Sequence, residues 1–230
     1  MVLKIILTLF FSLLPPLIWL FFYLKRDSHP EPKKKILFAF FGGYLIAFPA
    51  FLAEQTFISY FNFLFLYPLF FVSLLAFFEE FLKFLVFKKT IEKDKEYDEP
   101  VDAMIYLITI SLGFAGAENL FDFLKPNLTY FLFFQNALSR FLSSVFLHGL
   151  TGGILGFFLG LAFFKKKWIK KIMEAAGLFF ATLSHSIYNL AILGNFGNIF
   201  ITKLKIVFFL LVSLFCFILF AFRILKKIKK

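Results

Sequence analysis

The sequence predicts an all-α protein whose helices cross a membrane several times. Hydrophobic residues make up 61% of the 230 residues, 42 of them phenylalanine, and the mean hydropathy is +0.86. Soluble domains are only about 45–50% apolar, so this surplus calls for lipid as the surrounding solvent. Lysines also cluster in short runs between long apolar segments. We therefore expect one integral membrane domain over residues 1–230, built from spans of about 20 residues.

Seven apolar segments are long enough to be predicted spans. They cover about residues 2–24, 36–53, 62–87, 101–124, 130–164, 172–193 and 207–224. Pro15 and Pro16 are expected to kink the first span. The first half of the fifth is more polar than the others, which favours a bent or interfacial segment. Residues 54–60 are predicted to connect the second and third spans.

The lysine runs also predict the orientation of the chain. The loops after the first, third, fifth and seventh spans are rich in lysine, whereas those after the second, fourth and sixth hold at most two basic residues each. Because basic loops stay in the cytoplasm, we expect a multi-pass protein of the plasma membrane, with its N-terminus outside the cell and its C-terminus in the cytoplasm. The net charge of +11 is thus explained by membrane topology, and no nucleic-acid partner is expected.

Charged residues inside a span are costly in lipid and therefore usually serve function. The third span carries Glu79, Glu80 and Lys83, with the lysine on the same helical face as both carboxylates. One alternative is a pair of intrahelical ion pairs near a membrane boundary. However, two adjacent carboxylates in a low dielectric are also the arrangement that acid–base chemistry uses.

The fourth and fifth spans add a second set of polar residues. Glu118 and Asn119 follow small residues that allow close helix contact, so they fit either packing or direct participation. The fifth span carries Arg140 and His148, then a stripe of glycines spaced four apart that is typical of helix packing. A histidine within a membrane span more often has a functional role than one in a soluble core.

The sixth span places His185 and Asn189 on one face, at positions i and i+4. Counted from the cytoplasmic ends of their spans, His148 and His185 lie about 24 and 21 Å deep, but Glu79 and Glu80 only about 12 Å. The two histidines therefore lie at similar depths, whereas the carboxylates lie closer to the cytoplasmic surface. A tilted or bent helix would bring the two depths together.

A carboxylate with two histidines can activate water in two ways. A glutamate can act as general base while histidine and asparagine stabilise the oxyanion, or a glutamate and two histidines can bind Zn²⁺. The His-Glu-x-x-His, Gly-x-Ser-x-Gly and Gly-x-Asp signatures of other hydrolases are absent from the sequence.

These motifs, in this order on successive spans, resemble the PrsW family of intramembrane proteases, which belongs to a wider group with the CAAX prenyl proteases and bacteriocin-processing relatives. The resemblance runs from about residue 78 to residue 189. It rests on Glu79-Glu80-x-x-Lys83, Glu99-Pro100-x-Asp102, Gly113-Phe114-Ala115-x-x-Glu118-Asn119, Arg140 with His148, and His185 with Asn189. Ala103, where a glycine is expected, and Asp122-Phe123 depart from the family pattern and affect substrate fit more than chemistry.

The resemblance implies a protease that makes the first cut in a membrane-anchored anti-sigma factor. On that basis Glu79 and Glu80 supply the catalytic carboxylate, with His148, His185 and Asn189 completing the site. The wider group is similar to glutamate-dependent hydrolases, so glutamate-activated water is preferred, no metal ligand is assigned, and Zn²⁺ is the alternative cofactor.

Four further polar residues are expected to support the site, and two other functions remain open. Lys83, Glu118, Asn119 and Arg140 are expected to support the site, within a catalytic core of about residues 63–193. A non-catalytic scaffold subunit would use the same polar residues for helix packing. A transporter would use glutamate and histidine as a proton relay, but transporters usually show repeated halves, and no repeat is visible in this sequence.

Overall fold

The computed structural model describes residues 2–60, 68–125, 130–193 and 200–228. Within these ranges the chain forms eight helices and no strand, which confirms the predicted all-α fold. The helices are α1 (Val2–Leu24), α2 (Lys33–Tyr60), α3 (Pro68–Thr90), α4 (Asp102–Phe123), α5 (Tyr130–Leu142), α6 (Ser144–Leu161), α7 (Lys167–Leu193) and α8 (Phe200–Leu225).

Six of the described segments are long and apolar enough to cross a membrane, which confirms a multi-pass membrane protein. Helices α5 and α6 count together as one of them, Phe131–Leu161. Helix α3 has the length of a span, but Glu79, Glu80 and Lys83 near its middle make it too charged to be counted. Which end of the chain faces the cytoplasm stays a prediction.

Two boundaries bear on the sequence predictions. The predicted connection at residues 54–60 is wrong, because α2 continues to Tyr60: no glycine or proline follows Pro49 to end the helix. The fifth predicted span is divided into two helices at the end of its more polar first half. Ser143, with φ −128° and ψ −82°, lies outside helical geometry and separates α5 from α6.

Helix α4 is the centre of the bundle. It is buried almost along its whole length and packs against α1, α2, α3 and α6, while α7 packs against α3 and α6. Its small residues and its buried polar side chains, such as Thr109 and Asn119, favour contact with other helices over contact with lipid. The functional residues of α3, α4, α6 and α7 are thereby brought to one region of the interior.

Glycines allow the backbones around α4 to approach closely. A Cβ added at Gly113 would lie 2.0 Å from the carbonyl oxygen of Phe40 on α2. The predicted glycine stripe of α6 also packs closely against α4. Cβ atoms added at Gly152 and Gly156 would each lie 2.6 Å from a carbonyl oxygen of α4. The small residues are therefore packing positions, as expected for membrane helices.

We expect Gly113→Ala to destabilise the protein by about 1–3 kcal/mol or more, because the new methyl group would force α2 away from α4. Gly116→Ala is the matched control. The nearest atom to its Cβ would be a side-chain carbon at 3.5 Å, and it gains the same helix propensity. Unfolding in detergent micelles measures both, and equal stabilities of the two variants would contradict this packing account.

Candidate functional site

Glu80 is the most enclosed member of a polar cluster inside the bundle. Its side chain is fully buried, and Oε1 accepts hydrogen bonds from Lys83 Nζ at 2.9 Å and from the Thr151 hydroxyl at 3.1 Å. His185 Nδ1 lies 2.8 Å from the same oxygen, an arrangement in which the ring donates its proton to the carboxylate. Helices α3, α6 and α7 are thus joined at one carboxylate.

His148 connects this carboxylate group to α4. Its Nδ1 lies 2.8 Å from Lys83 Nζ, and its Nε2 lies 2.7 Å from Oε2 of Glu118. Lys83 can only donate, so Nδ1 accepts and Nε2 carries the proton donated to Glu118. The Lys83 side chain is 0% exposed and stands 4.5 Å from the centre of the Phe114 ring.

Arg140 holds the outer side of the cluster together. Its guanidinium contacts the Asn119 side-chain oxygen and the Asp122 carboxylate, and its Nη2 lies 3.4 Å from Glu118 Oε2. A planar guanidinium with several donors suits this role, because it can bind three groups at fixed angles. Glu118 is thereby positioned between Arg140 and His148.

Glu79 differs from Glu80 in its access to the cavity: each has a buried Oε2 without a hydrogen-bond partner among the described residues, but the Glu80 side chain is 0% exposed and that of Glu79 is 16% exposed. Among the described residues its buried Oε2 has no hydrogen-bond partner; the nearest cationic or ring nitrogens are His185 Nε2 at 3.9 Å and Lys83 Nζ at 4.0 Å. With Nδ1 donating to Glu80, His185 Nε2 carries a lone pair. Both atoms belong to residues that line a cavity of about 510 Å³, which His148 and Asn189 also line.

The donor set of the cluster fits a divalent metal ion. Glu79, His148 and His185 each offer one atom, and these atoms lie within 4.8 Å of one another. Two histidines and a glutamate are a ligand set of catalytic zinc, and the His185–Glu80 bond is the kind that orients such a ligand. Both ring nitrogens of His148 are engaged, so this residue would bind the metal only after losing its hydrogen bond to Lys83 or to Glu118.

The structure brings all the predicted site residues to this region. Eight of them are joined by the contacts above, and Asn189 lines the cavity. The expected depth mismatch between the glutamates and the histidines is wrong. Lys88 near the end of α3 bonds Glu174, so α3 ends beside the second turn of α7 rather than beside its start.

Three residues around the site were not predicted. Thr151 donates to Glu80, Asp122 binds Arg140, and Glu54 lines the cavity. Asp122 stands one turn beyond Glu118, and in the sequence it is only a departure from the family pattern. The sequence predicts a connection at Glu54, whereas α2 continues through this residue and brings it to the cavity.

A second group of carboxylates lies where α1, α2 and α4 meet. Asp102 accepts the backbone N–H groups of Asp98 and Glu99 at 3.0 and 2.7 Å, and the Tyr106 hydroxyl donates to Glu31. Burial raises the pKa of Glu31, and the Tyr106 hydrogen bond offsets part of this rise. These contacts anchor the loop between α3 and α4 and the segment before α2.

The raised pKa of Glu31 predicts a pH-dependent effect on stability. A carboxyl whose pKa is higher in the folded than in the unfolded state stabilises the fold below its unfolded pKa, and this contribution is lost as pH rises through the folded pKa. We therefore expect Glu31→Gln to raise the melting temperature at pH 8 but not near pH 4. Melting in micelles with chelator at both pH values checks this, and a pH-independent difference would contradict it.

Comparisons with known proteins place the sequence in a family. Residues 31–221 match the family described as PrsW family intramembrane metalloprotease. A protein named Protease PrsW from Oceanobacillus iheyensis is 32% identical over 182 residues, covering 78% of this chain and 80% of that protein. Another of the same name, from Halalkalibacterium halodurans, is 31% identical over 174 residues, covering 75% and 77%.

A third relative named Protease PrsW, from Bacillus subtilis, is 31% identical over 160 residues, covering 65% of this chain and 67% of that protein. No solved structure matches the chain. The family match extends over most of the sequence and includes every residue of the polar cluster. This multi-pass protein of the cell membrane therefore belongs to the PrsW family of intramembrane proteases.

Proposed function

We propose that this protein hydrolyses a peptide bond of a membrane-anchored protein, an anti-sigma factor being the expected kind, with water activated by Glu79. One observation carries the assignment: Glu79 Oε2 is buried, lacks a hydrogen-bond partner among the described residues, and belongs to a residue lining the cavity. A general base needs an oxygen that is free to accept a proton. Glu80 Oε2 also lacks a partner among the described residues, but Glu80 is fully buried and is not among the residues that line the cavity; its Oε1 is engaged by three partners, which suits a positioning role.

The residues around Glu79 suggest how the bond is cut. Glu79 Oε2 and His185 Nε2, 3.9 Å apart, can both accept hydrogen bonds from one water molecule. Glu79 takes a proton as the water oxygen attacks the carbonyl carbon, and Asn189, one turn beyond His185, supplies an N–H for the oxyanion. Glu79 then gives the proton to the departing amine as the C–N bond breaks.

A metal-dependent version of the same hydrolysis is supported by the donor set and by the family description. In that version Glu79, His148 and His185 would hold the ion, with Glu80 orienting His185 through Nδ1. A bound Zn²⁺ polarises the peptide carbonyl and makes water acidic. The cluster counts four carboxylates against three cations, an excess of one negative charge that favours a further cation. The carboxylates are Glu79, Glu80, Glu118 and Asp122, and the cations are Lys83, Arg140 and Lys125, the last paired with Asp122.

Cleavage in membranes tests the proposed function. Single-span anti-sigma factors are co-expressed with wild type, with Glu79→Gln and with His185→Ala, and the fragments are followed by gel. We expect wild type alone to release a fragment from a substrate of this class. Cleavage by folded Glu79→Gln at the wild-type rate would overturn the assignment of Glu79.

Metal content separates the two versions of the chemistry. Purified protein is analysed for bound metal, with Glu79→Gln/His185→Ala as the site variant and His29→Ala as the matched histidine control outside the spans. Glu79-activated water predicts no stoichiometric metal and cleavage that survives chelator. About one metal ion per chain, lost only in the site variant, would establish the metal-dependent version instead.

A further inference from the structure

An apolar pocket opens on the outer surface of the bundle between α2 and α3. It has a volume of about 220 Å³ and is lined by Ala53, Glu54 and Phe57 of α2 and by Leu74, Leu75 and Phe78 of α3. Apart from Glu54 these side chains are hydrocarbon. A volume of this size accommodates side chains but not a helix, which is about 10 Å across.

The apolar pocket adjoins the candidate catalytic cavity. Glu54, Leu75 and Phe78 also line a narrow space of about 30 Å³, whose other walls include Glu79 and Glu118. Glu79 and Glu118 in turn line the large cavity with the histidines. The backbone makes the link direct, because Phe78 of the apolar pocket is followed at once by Glu79.

The mouth of the apolar pocket faces the surroundings of the bundle. Phe77 and Phe78 are 44% and 37% exposed on α3, and Leu52, next to Ala53 on α2, is 65% exposed. For a helix that lies among membrane spans, such exposed apolar surface meets lipid. A group that enters this pocket therefore comes from the bilayer and not from water.

Glu54 marks the inner end of the apolar pocket. Its carboxylate is half-buried in α2, and Glu54 lines the apolar pocket, the narrow space and the catalytic cavity alike. A carboxylate at that position can accept the backbone N–H of an extended chain passing from one space to the next. An extended segment needs such acceptors in lipid, where unpaired amide groups are costly.

From this continuity we propose that the apolar pocket is a specificity site that takes one large apolar side chain of the substrate's membrane segment, close to the peptide bond that is cut, with Glu54 positioning the segment. The inference rests on the proposed function and adds the substrate feature recognised. It predicts preference for a substrate with Leu or Phe beside the cut over the same substrate with Ala. In a hydrophobic pocket one methylene alone changes kcat/KM by about 10–200-fold, so the difference between Ala and Leu or Phe should be at least about tenfold.

Changing the size of the apolar pocket tests the proposal. Ala53→Phe fills it, so the preference for Phe over Ala in the substrate should fall about tenfold or reverse. Phe57→Ala enlarges it, so the preference should move towards larger side chains. Leu52→Phe is the matched control, since it adds bulk on the exposed face of the same helix, and its preference should equal that of wild type.

The assay measures kcat/KM for the substrate pair in detergent or membranes, with the melting temperature of each variant as a check of folding. If both pocket variants keep the wild-type preference, the specificity site is wrong while the proposed function stands. If wild type cuts no membrane-anchored substrate, the proposed function fails, and the specificity site fails with it. If Leu52→Phe changed the preference as much as the pocket variants do, the assignment of the apolar pocket as the specificity site would also be wrong.

Discussion

Replacing Glu79 by glutamine is expected to lower the rate of peptide cleavage by about 10²–10⁴-fold, because an amide cannot accept the proton of the attacking water. The same change should leave the fold at least as stable as wild type. Glu79 Oε2 is buried and has no hydrogen-bond partner among the described residues, so the variant removes a poorly compensated charge. Activity and stability should therefore separate at this residue.

Glu80→Gln provides the contrast, since the two carboxylates are adjacent in sequence but differ in their partners. Glu80 Oε1 meets Lys83 Nζ at 2.9 Å and His185 Nδ1 at 2.8 Å, so its loss leaves a buried cation and an unoriented ring. We expect both activity and stability to fall. The measurement is cleavage in membranes together with unfolding in micelles for each purified variant.

Glu96→Gln is the control for a change of charge alone, because this carboxylate lies in the α3–α4 loop, with exposed Lys95 as its ion-pair partner. It should cleave and unfold like wild type. The assignment would be reversed if Glu79→Gln kept full activity while Glu80→Gln folded normally but was inactive. Glu80 would then be the general base and Glu79 the positioning residue. Loss of stability in both variants with activity retained would leave the cluster a structural feature only.

The sequence was sufficient for the fold class and for most residues of the buried polar cluster, because both depend on local signals. Long apolar segments predict helices in lipid, and ionisable residues within them stand out against that background. His148 and His185 were found this way, without any knowledge of which helices touch. The single-domain organisation and the catalytic core at residues 63–193 remain predictions of the same kind.

What the sequence could not predict depends on contacts between helices. The sequence predicts a connection at Glu54 because polarity alone does not distinguish a loop from a helix that lines a cavity. The depth comparison failed because it treated all spans as starting at one level, whereas Lys88 of α3 pairs with Glu174 inside α7. Thr151 gave no signal in the sequence, since a threonine in a glycine-rich helix is unremarkable until Glu80 is placed beside it.

Replacing Lys83 by methionine is expected to destabilise the protein by about 3–5 kcal/mol, the typical result of removing one partner from a buried ion pair. Its side chain is 0% exposed and contacts Glu80, His148 and the face of the Phe114 ring. Methionine preserves much of the volume, so the loss reports the charge more than the packing. Lys166→Met, at an exposed lysine between α6 and α7, should change stability by less than about 0.5 kcal/mol.

The double variant Lys83→Met/Glu80→Gln shows whether the destabilisation comes from the stranded carboxylate. If the unpaired Glu80 carboxylate causes the destabilisation, neutralising it should recover part of the stability. The loss in the double variant will then be smaller than the sum of the losses in the two single variants. Additive changes would mean that Lys83 acts through His148 or Phe114 instead. Recovered stability should not bring back cleavage, because His185 would still lack the carboxylate that orients it. Stability and activity would then be separate consequences of one buried carboxylate, the first through Lys83 and the second through His185.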